Sequence, residues 1–116
     1  MEDYAKKLLK AKEASKKGFA YIHIFAPCVI GFKIPADSAV QVCRMAVKTN
    51  YFPLWEMEDG EYRITAPVNN PRPVRDYLSL CGKFSHLQEK EIDEIQKIVD
   101  NRYAIIKSLV EATSKS

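Results

Sequence analysis

The side chains with chemical potential are few: Cys28, Cys43 and Cys81, His23 and His86, and the alternating acids Glu56 and Glu58. Cys28 lies in "YIHIFAPCVIGFKIPA" (21–36), where an apolar run ends in Ala-Pro-Cys and a small loop follows. A thiol at such a point can be a metal ligand, a nucleophile or a small core residue. On the residues alone all three stay open, and a lone cysteine is most often a buried hydrophobe. The three cysteines are widely spaced and include no CxxC pair, so the chain cannot build an ordinary four-cysteine zinc or iron–sulfur site by itself. Cys43 falls on the apolar face of a predicted helix and reads as core. Cys81 precedes Gly82 at a predicted helix end and receives no role. A catalytic histidine needs a base or nucleophile within reach. None is identifiable for His23 or His86, which read as structural, His86 as a cap or bridge at an interface. Glu56 and Glu58, two apart on a strand, are expected to face solvent rather than form an acid/base dyad. Tyr51, Phe52 and Trp55 read as a core or interface cluster. A platform for nucleic acid would interleave arginines and lysines, and here Glu56, Glu58 and Asp59 follow.

A chain of 116 residues, 47% hydrophobic and 28% charged, suits one globular domain with a modest core. The net charge of +3 comes from 18 basic and 15 acidic residues, interleaved rather than massed. That is too small an excess to argue for nucleic acid. No apolar run approaches a membrane span and the first residues lack a signal-peptide core, so no membrane partner and a cytoplasmic setting are expected. In that setting a disulfide framework is not expected.

The elements that must position these residues follow from periodicity. Residues 3–16 read as a helix with Tyr4, Leu8 and Ala11 on its apolar face, lysines on a solvated face, and Gly18 as the stop. "FAYIHIFA" (19–26) reads as a strand buried on both faces, as in a parallel sheet. "ADSAVQVCRMAVKTN" reads as a second helix, capped by Asp37 or Ser38, with Val40, Cys43 and Val47 inward. "FPLWEMEDGEYRIT" reads as a hairpin turning at Asp59-Gly60. "APVNNPRP" is an extended prolyl arm, and "VRDYLSLC" a short helix stopped by Gly82. A long helix begins near Gln88 and runs Ile92, Ile95, Val99, Arg102 or Tyr103, and Ile106 down one face, continued by Leu109 and Val110, with "TSKS" frayed. The fold class is α/β. A single buried strand needs neighbours the chain does not supply, so the expectation is a fragment, or a domain that requires a partner.

Four phrases occur in one order: "GFAYIHIFAPCVIGF", "AVKTNYFPLWEMEDGEYRIT", "RPVRDYLSLCGKFSHL" and "EIDEIQKIVD". Together they resemble the C-terminal part of the β subunit of the 2-oxoacid:ferredoxin oxidoreductases, whose best-known member is pyruvate:ferredoxin oxidoreductase (pyruvate synthase). The resemblance implies that residues 1–116 are the C-terminal portion of a thiamine-diphosphate-binding type fold. It implies an enzyme that decarboxylates a 2-oxoacid, pyruvate first, on thiamine diphosphate and Mg²⁺. Electrons would pass through [4Fe–4S] clusters to ferredoxin, and the acyl group to coenzyme A. The implied partners are the remainder of the β subunit and the other subunits.

In that family the Pro-Cys after the strand supplies the last thiolate of a cluster. Cys28 falls on this position, and N–H groups from Val29 to Gly31 are then placed to bond cluster sulfurs. The Gly-Asp-Gly…Asn segment that holds the diphosphate and the CxxC pair are absent from this sequence. No cofactor is therefore expected in the isolated chain, which is expected to be inactive alone. The rival reading is a non-catalytic interaction or assembly module that keeps the fold.

Overall fold

In a computed structural model of the chain, residues 2–114 are described. Helix α1 (Glu2–Ser15) opens with Glu2 and Asp3 and closes with Lys12 in its last turn, charges that suit the helix dipole at each end. It buries no residue. The expected apolar face is largely exposed at Tyr4 and Leu8. The half-buried side is instead Asp3, Lys7 and Ala11. Polar links hold it: Lys7 Nζ donates to Thr65 Oγ1 at 2.9 Å, and Lys10 Nζ to Glu56 Oε1 at 2.5 Å. Two of the lysines assigned to solvent thus face the hairpin. An apolar stripe buries only where an apolar surface lies opposite it, and here the surface opposite is charged.

Residues 19–26 are extended but form no strand. Strand character is a ladder, and among the described residues the one ladder is the hairpin. No backbone hydrogen bond joins 19–27 to another described segment. Nor is the segment buried on both faces. Ala20, Ile22, Phe25 and Pro27 lean inward, while Phe19 is 89% and Tyr21 76% exposed.

After this segment comes a single helical turn, α2 (Val29–Phe32), where sequence pointed to a loop. A 3₁₀ turn (Ala36–Ser38) leads into α3 (Ala39–Lys48). Of the two expected caps, Asp37 lies inside the 3₁₀ turn and Ser38, the N-cap of α3, makes no side-chain capping bond. The buried side of α3 is Val42 and Ala46, four apart, whereas Val40 is exposed. The hairpin is as expected. Strand β1 (Trp55–Glu58) pairs antiparallel with β2 (Glu61–Ile64) around Asp59 (φ 52°) and Gly60 (φ 81°). Positive φ at both turn positions is what a two-residue type I′ hairpin requires.

The prolyl arm runs without regular structure to α4 (Val74–Leu78). It is tied down where Arg72 N–H donates to Lys48 O at 3.0 Å. A 3₁₀ turn (Gly82–Phe84) precedes α5 (Glu89–Thr113), which follows Gln88 as anticipated. Its last turn is ordered, because Thr113 Oγ1 accepts the Tyr62 N–H at 2.9 Å. Of the expected frayed tail, Lys115 and Ser116 lie outside the described residues.

The core is Ile34, Val42, Ala46, Val74, Tyr77, Leu78, Cys81 and Val99, assembled where α3, α4 and α5 meet. The architecture is mixed helix with a two-stranded sheet, consistent with an α/β chain. Its radius of gyration is 15.8 Å, against about 13.4 Å for a compact domain of this length. The principal-axis extents are 45 × 29 × 21 Å, and α5 with its 25 residues is by itself about 38 Å long at about 1.5 Å per residue. No helix among the described residues is long and apolar enough to cross a membrane.

Candidate metal centre

Local geometry explains how Cys28 is presented. The preceding Pro27 ends the extended run, and Cys28 keeps extended dihedrals (φ −101°, ψ 120°) as the N-cap of α2. Its carbonyl accepts the Phe32 N–H at 2.7 Å, and its Sγ accepts the Gly31 N–H at 3.3 Å. The thiol occupies the capping role that Ser or Asp usually fills. Lys33 then turns left-handed (φ 53°), and Ile34 N–H donates to Val29 O at 3.2 Å. Ile34 is buried in the core and anchors the far end of the turn. Phe25 meets Phe32 edge to face at 5.9 Å, bracing the turn against the preceding segment.

Cys28 itself is exposed and unpaired. Of the donors expected from 29–31, Gly31 alone reaches the sulfur. The turn therefore offers one accessible sulfur, held by a backbone N–H, on a short and well-anchored segment. This suits one ligand of a thiolate-bound cluster, since N–H bonds to ligating sulfur tune such centres. It does not suit a complete centre: no group of three or more His, Cys, Asp or Glu residues able to hold a metal occurs among the described residues.

The other cysteines lie in or beside the core. Cys43 is half-buried on α3, and burial pushes its thiol pKa up. Cys81 is fully buried; burial raises its pKa against the opposing pull of the Tyr77 hydroxyl and the Lys83 charge. Burial is also the main cause of the strongly raised Tyr77 phenol, with smaller contributions from Cys81 and Tyr51. The Cys81 thiol influences that phenol, yet the Tyr77 hydroxyl has no hydrogen bond of ordinary geometry.

These shifts predict the alkaline limb of stability. In all three groups the folded pKa lies above the unfolded value, 9.0 for the two thiols and 10.0 for the phenol. Stabilisation is complete below the unfolded pKa and is lost as pH rises beyond it, by about 1.4 kcal/mol per pH unit for each group while only the unfolded form ionises. Urea midpoints are expected to hold from pH 7 to 8 and to fall above pH about 9. A Cys81→Ala, Tyr77→Phe double variant should lose most of that slope. An equal slope in the variant would contradict the assignment.

The remaining candidates are structural in their surroundings. His23 is exposed and packs edge to face on Phe52 at 5.2 Å; His86 is exposed. Glu56 and Glu58 share one strand face and both approach Arg63, at 3.4 and 3.0 Å. Glu56 is largely covered rather than solvent-facing, because Lys10 closes over it. Tyr51 stacks on Tyr77 at 4.3 Å and Phe52 meets Phe25 in a tilted contact at 5.2 Å, so both belong to the aromatic core edge. Trp55 stacks across the hairpin on Tyr62 at 5.7 Å. Sequence reasoning put Arg102 or Tyr103 on the inward face of α5 but missed the role of Arg102, whose guanidinium donates to Asn50 O at 3.2 Å and to Tyr51 O, just past the end of α3. It also missed Gln96, whose Oε1 accepts the Val74 N–H at 2.7 Å at the start of α4. Gln96 sits among polar helix positions and carries no distinguishing pattern.

No family model matches the chain. Individual proteins do. The chain is 45% identical over 105 residues to the NADH-dependent phenylglyoxylate dehydrogenase subunit beta of Aromatoleum evansii, covering 88% of this chain and 23% of that protein. It is 38% identical over 112 residues to the ketoisovalerate oxidoreductase subunit VorB of Pyrococcus furiosus (95% of this chain, 35% of that protein). It is 36% identical over 105 residues to the pyruvate synthase subunit PorB of Methanocaldococcus jannaschii (90% and 35%). The chain thus spans a quarter to a third of the length of these curated relatives. Likeness of this extent, along almost the whole chain and to subunits named for three different 2-oxo substrates, identifies it as a member of the 2-oxoacid:ferredoxin oxidoreductase β-subunit family, corresponding to the C-terminal part of that subunit.

Proposed function

We propose that the chain forms the C-terminal region of a β subunit in a 2-oxoacid:ferredoxin oxidoreductase of the pyruvate type, and that Cys28 gives one thiolate to a [4Fe–4S] cluster of the complete enzyme. The observation that carries the ligand reading is the exposed Cys28 Sγ, fixed at the head of α2 by the Gly31 N–H. Pyruvate is favoured because four of the relatives are pyruvate synthase subunits. When bound, thiamine diphosphate with Mg²⁺ would support the decarboxylation and the cluster would carry single electrons toward ferredoxin, with coenzyme A taking the acyl group. This chain's share is narrower. Cys28 would bind one iron, with its sulfur held by the Gly31 N–H and the turn braced by the Phe25–Phe32 ring contact. The remaining thiolates and the thiamine-diphosphate fold would come from the rest of the subunit, in a cytoplasmic setting that keeps thiols reduced. Reconstituting the complete complex and assaying ferredoxin reduction with several 2-oxoacids tests this. Pyruvate is expected to be the best substrate, and no turnover of any 2-oxoacid would contradict the family activity.

The isolated 116-residue chain is expected to behave as a part. Phe19, Tyr21, Ile24 and Ile30 are exposed, and the backbone between 19 and 27 makes no backbone hydrogen bond to another described segment. An uncovered extended segment with apolar side chains invites pairing with another chain. Sedimentation should therefore show self-association, relieved by Tyr21→Lys with Ile24→Lys, and the purified chain should carry no stoichiometric iron. A stable monomer at high concentration, or about four irons per chain, would contradict this.

A further inference from the structure

We infer that Gly82 is a positioning residue for the Cys28 turn, an assignment that rests on Cys28 being a cluster ligand. Gly82 and Cys28 are far apart in sequence, yet the 3₁₀ turn carrying Gly82 packs directly against α2. The Gly82 N–H donates to Lys33 O at 3.0 Å. Lys33 is the residue that ends α2, in the left-handed conformation, and its own N–H bonds back to Ile30 O. A Cβ on Gly82 would stand 2.7 Å from Lys33 Cβ and 2.7 Å from Lys33 O. Both of those atoms are fixed by the backbone, so no side-chain rotation relieves the clash. Any residue other than glycine must push Lys33, and α2 with it, away from the core.

The next residue adds a second tie. Lys83 Nζ lies 3.5 Å from the Phe32 ring centroid and 4.9 Å from that of Phe84, a cation–π arrangement within the usual range. Phe32 N–H donates to the Cys28 carbonyl, and Gly31 N–H to its sulfur. A shift of Lys33 or Phe32 therefore reaches Sγ through one or two residues. On its other side α2 is preceded by 19–27, which makes no backbone hydrogen bond to a described segment. The backbone of the turn is thus tied from its C-terminal end, by buried Ile34 and by Gly82-Lys83, while the preceding segment contributes the ring contact of Phe25 with Phe32.

The test uses the assembled enzyme with Gly82→Ala, Lys83→Met, Cys28→Ser and, as a purely structural control, Val99→Ala in the buried core. Two quantities are read besides activity: the electron paramagnetic resonance line shape of the cluster, and its rate of loss to an iron chelator. Gly82→Ala should change the line shape and raise the loss rate about 10-fold, the lower end of what removal of an outer-shell partner costs a metal site. Lys83→Met should move both in the same direction by less. Val99→Ala should lower the melting temperature and leave both at wild-type values. If Gly82→Ala prevents assembly, Lys83→Met carries the test. Wild-type line shape and loss rate in the assembled Gly82 or Lys83 variant would overturn the assignment, as would equal changes in Val99→Ala. An intact cluster in Cys28→Ser would overturn the ligand reading beneath it, whereas a lost cluster there with wild-type behaviour in Gly82→Ala would overturn the positioning role alone.

Discussion

Tyr77→Ala is expected to remove most of the stability of this region. Tyr77 is wholly buried where α4 faces α3 and α5. It stacks on Tyr51 at 4.3 Å and meets Phe25 and Phe84 at 6.2 and 6.3 Å. Truncating a buried aromatic side chain to alanine costs about 3–5 kcal/mol, through lost burial and the cavity left behind. Domains of this size hold only about 5–15 kcal/mol in total. The uncovered 19–30 segment argues for the low end here. Tyr77→Phe separates ring from hydroxyl. The hydroxyl is buried without a bonded partner, so its removal should be neutral or slightly stabilising. Thermal melting of the three forms checks both expectations. A wild-type melting temperature for Tyr77→Ala would contradict the placement of this ring at the centre of the core.

What the sequence conveyed, and what it did not, divides along a physical line. Features set by local chemistry were readable. Asp59-Gly60 fixed the hairpin because both positions need positive φ. Gln88 and the apolar spacing of Ile92, Ile95, Val99 and Ile106 marked α5. Features set by what lies opposite were not readable. Residues 19–26 have strand composition, but strand structure needs a ladder partner, and no described segment pairs with them. The chain spans only a quarter to a third of the length of its curated relatives. Helix α1 shows its apolar stripe to solvent because the hairpin offers it Glu56 and Thr65 instead. On α3 the inward side turned out to be Val42 and Ala46, chosen by packing against α4 rather than by the most apolar spacing. The candidate site divides the same way. Cys28 stood out by its place after Ala-Pro. The Gly82-Lys83 turn that meets it lies too far along the chain for any local pattern to connect the two.

Cys28→Ser and Cys43→Ser should have opposite consequences, although each removes one sulfur. Cys28 is exposed at the head of α2 with its sulfur available, so the serine variant should lose a [4Fe–4S] cluster ligand at little cost in folding. Cys43 is half-buried on α3. There a hydroxyl replaces a small hydrophobe, at a cost of about 1–2 kcal/mol when it finds no partner, and the cluster should stay whole. Thiamine diphosphate binding should survive both changes, because this chain carries no diphosphate-binding segment. The most direct measurement is the reduced-cluster electron paramagnetic resonance signal, with iron quantified, in the complete enzyme carrying Cys28→Ser beside one carrying Cys43→Ser. Loss of one cluster's signal and about four irons in the first variant alone is the predicted result. An intact signal with full iron in the Cys28 variant would contradict the account.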